Sequence, residues 1–113
     1  MNIQFEDKNL SDPKKRKGKF QHVQPKLERR LAELGAATNI GEYKVTFPGA
    51  RFHEHSGNEK GIYTIDVSEN YRLYFRLVFQ EEEENSDRDR LDIINAVTEI
   101  IVVKVNDPHK KSH

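Results

Sequence analysis

Apolar residues recur first every three or four positions along this chain and later every second position, and the change of period divides it in two. Met1 to Glu6 alternates weakly, which predicts a short first strand. Ser11-Asp12-Pro13 reads as a helix start, with an N-cap candidate and a proline for the first turn. From there Phe20, Val23, Leu27, Leu31 and Leu34 make one apolar stripe of about four turns. Pro25 falls inside it and either begins a second helix or kinks a single long one. The stripe stays in phase through the proline, which favours a kinked helix or a tight helix pair. Gly35, or Asn39-Ile40-Gly41, ends it.

The remainder reads as sheet. Phe47-Pro48-Gly49 is a turn and Ala50 to His55 a short strand. Ile62 to Val67 and Tyr71 to Phe79 form a hairpin joined by Ser68-Glu69-Asn70. In its second strand Tyr71, Leu73, Phe75, Leu77 and Phe79 point one way, and Arg72, Tyr74 and Arg76 the other. One face is core, and the other sets two guanidinium groups around a phenol. Gln80 to Asn95, with EEEENSDRDR at its centre, reads as a polar mobile loop. Val97 to Val105 is rich in β-branched residues and suits a strand covered on both faces. The tail, 106–113, is polar. The expected architecture is a single α+β domain, 1–113, ordered β-α(α)-β-β-β-β. A helix or helix pair packs on one face of an antiparallel sheet, and the face bearing Arg72, Tyr74 and Arg76 stays open.

Composition narrows the chemistry. The chain has 113 residues and no cysteine, so thiolate nucleophiles, thiolate metal sites and disulfides are excluded. No apolar run approaches a membrane span and Met1 to Glu6 is no signal peptide, which predicts a soluble cytoplasmic protein. Nineteen basic residues balance nineteen acidic ones, but unevenly. Residues 1–60 carry twelve Lys/Arg against eight Asp/Glu, and 61–113 carry seven against eleven. The block Lys14-Lys15-Arg16-Lys17-Gly18-Lys19 suits either nucleic-acid phosphates or a solvated helix face. His53 and His55 share a strand face, but without a third ligand nearby no metal site is expected. No cofactor is expected.

The run His53-Glu54-His55-Ser56-Gly57-Asn58-Glu59-Lys60-Gly61-Ile62-Tyr63-Thr64-Ile65, followed by Asn70-Tyr71-Arg72-Leu73-Tyr74-Phe75, resembles the HigB-like branch of the RelE/ParE toxin superfamily. Leu31 to Ala37 looks like that family's helix end, and Glu99 to His109 resembles its last strand, which closes on D-Y-H. The resemblance implies a compact α+β domain that enters the ribosomal A site and cleaves mRNA there. It also implies a protein antitoxin, in this branch often a HigA-like helix-turn-helix DNA binder, and a multimeric toxin–antitoxin complex.

Cleavage of this type uses the ribose 2′-hydroxyl as nucleophile on the adjacent phosphate and needs no metal. It requires a base, an acid for the departing oxygen, and cations around the phosphorane. Position by position, the resemblance makes Arg72 the phosphate clamp and matches His53 to the family's histidine ahead of the glycine. It matches Asp107 and His109 to the outer members of D-Y-H, with His109 the best candidate acid or base; all four are catalytic candidates. Lys60 keeps a basic position for backbone phosphate. Arg76, Tyr74, Lys15 and Arg16 are further candidates for RNA contact, Tyr74 by stacking on a base. Ser56, Glu59 and Pro108 depart from the family's lysine, arginine and tyrosine. The first two changes remove positive charge, and the third removes a phenol.

Read structurally, Arg72 and Arg76 pair across the sheet with Asp66 or Glu99, and Tyr63, Tyr71 and Phe75 belong to the core. Two other functions stay open. One is a non-enzymatic, ParE-like toxin that poisons DNA gyrase. The other is a degraded homologue that only binds its antitoxin.

Overall fold

The computed structural model describes residues 1–12, 14, 22–55, 61–80 and 89–106. A five-stranded sheet in the order β1-β5-β4-β3-β2 forms its frame. The strands are β1 (Asn2–Phe5), β2 (His53–Glu54), β3 (Ile62–Asp66), β4 (Arg72–Leu77) and β5 (Glu99–Asn106). The β3–β4 hairpin forms where the alternation places it, with Asp66 opposite Arg72 and Ile62 opposite Arg76. β2 is shorter than Ala50 to His55.

The sheet is mixed rather than antiparallel. β1 runs parallel to β5, from Asn2 opposite Glu99 to Phe5 opposite Val102. A parallel pair needs a long crossover, and the whole chain between the two strands supplies it. β5 is thereby paired on both edges. Its Ile100, Val102 and Val105 are buried on the helical side, while Ile101 and Val103 are half-buried on the other. The step from Val102 to Val105 breaks a period of two because the ladder to β4 shifts between Tyr74 and Phe75, a β-bulge.

Four helices are described: α1 (Lys8–Ser11), α2 (Gln24–Ala36), α3 (Ile40–Thr46) and α4 (Arg90–Asn95). Ser11 closes α1, and the Asp12 side chain accepts from the Lys14 N–H at 2.9 Å, the kind of contact an N-cap makes; Pro13 and residues 15–21, where the expected helix would run, lie outside the described residues. Asp7 caps α1 through its carboxylate on the Asn9 N–H at 2.9 Å, and Ser11 ends it with its hydroxyl on the Lys8 carbonyl. Short polar side chains serve either role, and Ser11 here serves the exit of α1. Pro25 sits in the first turn of α2, so it begins this helix rather than kinking one. Val23, Leu27 and Leu34 are buried and Leu31 partly so, as the stripe requires; Phe20 lies outside the described residues.

Asn39-Ile40-Gly41 proves to be a restart as well as a stop. The Asn39 side chain accepts from the Glu42 N–H at 2.8 Å, and Glu42 accepts from the Thr38 N–H at 3.1 Å. This reciprocal arrangement is a capping box one residue wider than usual at its acceptor end, and it launches α3 with Ile40 and Tyr43 inward. The expected polar loop, Gln80 to Asn95, is helical in its last six residues. Asp89 caps α4 on the Leu91 N–H at 2.7 Å, and Ile94 is buried. The neighbouring charge run masked the apolar Leu91, Ile93 and Ile94. Lys44 of α3 ties the two helices by donating to the Asn95 side chain at 2.8 Å.

One core joins helices and sheet. Tyr43, Leu27, Leu34 and Ile40 meet Phe75, Leu73, Ile65, Ile100 and Val102, all nearly or wholly inaccessible to solvent. Each such side chain contributes about 1.5–3 kcal/mol by leaving water. The Met1 ammonium donates to the carbonyls of Leu34, Gly35 and Ala37 at the end of α2, a cation placed where a helix end favours one. No helix among the described residues is long and apolar enough to cross a membrane.

Candidate functional site

The sheet face turned away from the core holds the candidate residues. Ile62, Thr64, Asp66, Arg72, Tyr74 and Arg76 alternate onto it from β3 and β4, and β2 adds His53 opposite Thr64.

At one end lies the hairpin turn. Val67 and Ser68 both donate their N–H to the Tyr71 carbonyl, and the Ser68 hydroxyl accepts from the Tyr71 N–H. Arg72 folds back over this turn. Its Nη1 donates to the carbonyls of Ser68, Glu69 and Tyr71, each at 3.3 Å, and its Nε lies 2.9 Å from Asp66 Oδ1. The cross-strand pairing with Asp66 therefore exists. Glu99, the other carboxylate considered, accepts instead from Gln4 on β1.

Asp66 is shared. Its second carboxylate oxygen lies 3.7 Å from Arg51 Nε, and its backbone carbonyl accepts from Arg30 Nε at 2.8 Å. Arg30 also pairs with Glu33 at 2.8 Å. Together with Lys26, Arg29 and Val67, Arg30 lines an open groove of about 270 Å³.

His53 uses both ring nitrogens. Nδ1 lies 2.8 Å from the Arg51 carbonyl and Nε2 lies 3.1 Å from Thr64 Oγ1. A carbonyl only accepts, so Nδ1 carries the proton, and in the neutral ring Nε2 accepts from the threonine hydroxyl. This leaves the imidazole in the tautomer a general base requires.

The middle of the face is not open. Tyr74 is 4 % exposed: the His55 ring meets it edge-on at 5.3 Å, and Lys104 Nζ sits over its face at 4.9 Å. Lys104 is its register partner on β5, so alternation delivers the cation to the ring. A phenol covered in this way does not offer a stacking surface to a nucleotide. Arg76 is exposed, as expected. Tyr63, Tyr71 and Phe75 belong to the core. Burial pushes the Tyr63 hydroxyl above its usual pKa, Glu54 pushes it further, and Arg90 opposes both.

Asp107, His109, Lys60, Lys15 and Arg16 lie outside the described residues, as do Ser56, Glu59 and Pro108. Three participants were missed in the sequence. Arg51 has left-handed backbone angles, φ 55° and ψ 53°, which arginine does not advertise. Thr64 read as a mere strand residue, and His55 as half of a metal pair. The H-x-H spacing was the available signal for the last.

A mixed-sheet α+β domain with an arginine and a histidine on one sheet face suits the small toxins of paired systems. Residues 4–92 match the family described as RelE-like toxin of type II toxin-antitoxin system HigB. The chain belongs to this family and is a type II toxin, whose partner is a protein antitoxin. No curated protein matches it.

Proposed function

We propose that this toxin is a ribosome-dependent mRNA endonuclease that cleaves by 2′-hydroxyl attack. The observation that carries the reading is the placement of Arg72 and His53 on one sheet face, joined through Arg51 and Asp66. In this reading His53 Nε2 exchanges the Thr64 hydroxyl for the ribose 2′-hydroxyl and takes its proton. Arg72 neutralises the phosphorane oxygens through its planar fork. His109, held by Asp107, returns a proton to the departing 5′-oxygen. Lys60, Arg76, Lys15 and Arg16 bind backbone phosphates, and Tyr74 serves as the floor under His55 and Lys104. The toxin acts in the cytoplasm, and a HigA-like antitoxin restrains it in a multimeric complex.

One observation favours a second reading. Arg72 already holds a carboxylate and three carbonyls, an arrangement that also suits a purely structural arginine. A non-enzymatic gyrase poison, or a toxin that has lost catalysis, would have no further use for it. Induced expression with mapping of mRNA ends separates them. New cuts at A-site codons that vanish in Arg72→Ala and His109→Ala support the nuclease. Growth arrest with intact mRNA and broken DNA supports gyrase poisoning, and no phenotype supports the degraded toxin.

A further inference from the structure

The carboxylate of Asp66 lies between two guanidinium groups that come from different elements. Arg72 Nε is at 2.9 Å and Arg51 Nε at 3.7 Å. We propose that Arg51 and Arg72 form a two-arginine site for a phosphodiester of the RNA, which Asp66 fills when RNA is absent. The proposal rests on the endonuclease reading and adds to it a second cation and an internal competitor.

Three observations carry it. A carboxylate and a phosphodiester offer similar pairs of anionic oxygens to a guanidinium fork, so a pocket formed around one suits the other. The two arginines differ in access, with the Arg72 side chain 16 % exposed and that of Arg51 70 %. An incoming phosphate meets Arg51 first and then displaces Asp66 from Arg72. The third is the backbone of Arg51. Among the described residues it is the only non-glycine with positive φ. It closes the 3₁₀ turn Pro48–Ala50, where glycine or asparagine would sit without strain.

Strain of this kind needs a reason in the surroundings. An exposed ion pair at 3.7 Å contributes little to stability, so the contact with Asp66 is a weak reason for an arginine there. The position itself supplies a better one. The same residue that aims a cation at Asp66 also offers its carbonyl to His53 Nδ1 at 2.8 Å. Arg51 thus sets the spacing between a bound phosphate and the imidazole. Arg30, the third arginine at this junction, is committed to the Asp66 carbonyl and to Glu33.

The test is binding of a fluorescent uridine hexanucleotide, by anisotropy at two ionic strengths, with a hexaglutamate peptide as comparator. Arg51→Gly is expected to keep or raise the melting temperature, since glycine accepts the left-handed backbone. It should bind the RNA roughly fivefold more weakly, with a salt slope smaller by about one contact. Asp66→Asn should bind roughly fivefold more tightly, and adding Arg51→Gly should remove that gain. Arg51→Gly binding as well as wild type overturns the proposal, and this variant decides alone if Asp66→Asn does not fold. A folded Asp66→Asn with unchanged or weaker affinity also overturns it, as does tighter binding of the peptide than of RNA. Intact mRNA in expressing cells, alongside the predicted binding pattern, would sink the endonuclease reading and leave the site standing.

Discussion

His53 on β2 and Thr64 on β3 stand directly opposite each other, with the threonine hydroxyl 3.1 Å from the imidazole Nε2. In the endonuclease reading the hydroxyl occupies the place the substrate hydroxyl would take, and it orients the ring until then. Thr64→Val keeps the β-branched shape and removes only the donor. Its stability in urea should change by about 1 kcal/mol or less. Cutting of mRNA in expressing cells should fall about tenfold, the loss of roughly 1.4 kcal/mol of orientation, and Thr64→Ser should restore it. Undiminished cutting by the valine variant would remove Thr64 from the mechanism.

The Arg72–Asp66 pair makes any loss of toxicity in Arg72→Ala ambiguous without a stability measurement. Both side chains are mostly covered, at 16 % and 17 % exposure. Removing the arginine leaves a poorly solvated carboxylate, at a cost of about 2–3 kcal/mol. Arg72→Lys restores the charge but not the fork that reaches Asp66 and the turn carbonyls together. It should recover about half the stability and none of the cleavage. Denaturant midpoints alongside mRNA mapping separate the two effects.

Tyr43 gives the molecule an alkaline limit. Burial, above all, pushes its pKa up to about 12, with Arg30 lowering it and Glu33 raising it. In the unfolded chain tyrosine ionises near pH 10. The folded state therefore holds a proton that the unfolded state has lost, and stability present below pH 10 drains away as the pH rises toward 12. The loss is on the order of 2–3 kcal/mol. Tyr43→Phe should flatten this dependence. Tyrosinate absorbance recorded beside circular dichroism should show Tyr43 ionising with unfolding rather than before it.

Gly41 lets α3 lie close against α4. A β-carbon there would stand 3.0 Å from Asn95 Cβ and 3.2 Å from the Asn95 carbonyl oxygen. The oxygen belongs to backbone and yields little, so the clash outweighs the ~1 kcal/mol helix preference of alanine. Gly41→Ala should be destabilised by about 1 kcal/mol. A rise in melting temperature would mean that α4 shifts freely.

The hairpin was legible because its signals are local: strict alternation, a three-residue turn and two arginines on one side. The α2 stripe was legible for the same reason, and so was the family, from residues around His53 and Arg72. What escaped depended on long-range geometry or on ambiguous caps. Nothing in Asn2–Phe5 says that its partner is β5 or that the pair is parallel. Asn39 was read as a stop because an asparagine both ends and begins helices, and α4 hid behind its charged approach. Alternation assigned Tyr74 to the correct face, but burial on that face depended on His55, just after β2, and Lys104, on β5, converging on it. The left-handed backbone of Arg51 is a feature that no side-chain pattern encodes.

The pairing of β1 with β5 also orders events in time. Asn2 finds its partner in Glu99, nearly the full length of the chain away. Of the five strands β1 is made earliest, yet its partner in the sheet is β5, made after the other four, so this contact carries a larger loop-closure cost than the local hairpin. During translation β1 has no docking edge until β5 emerges, so the complete sheet cannot form on a partly made chain. β1 therefore waits without its strand partner while every segment between it and β5 is made.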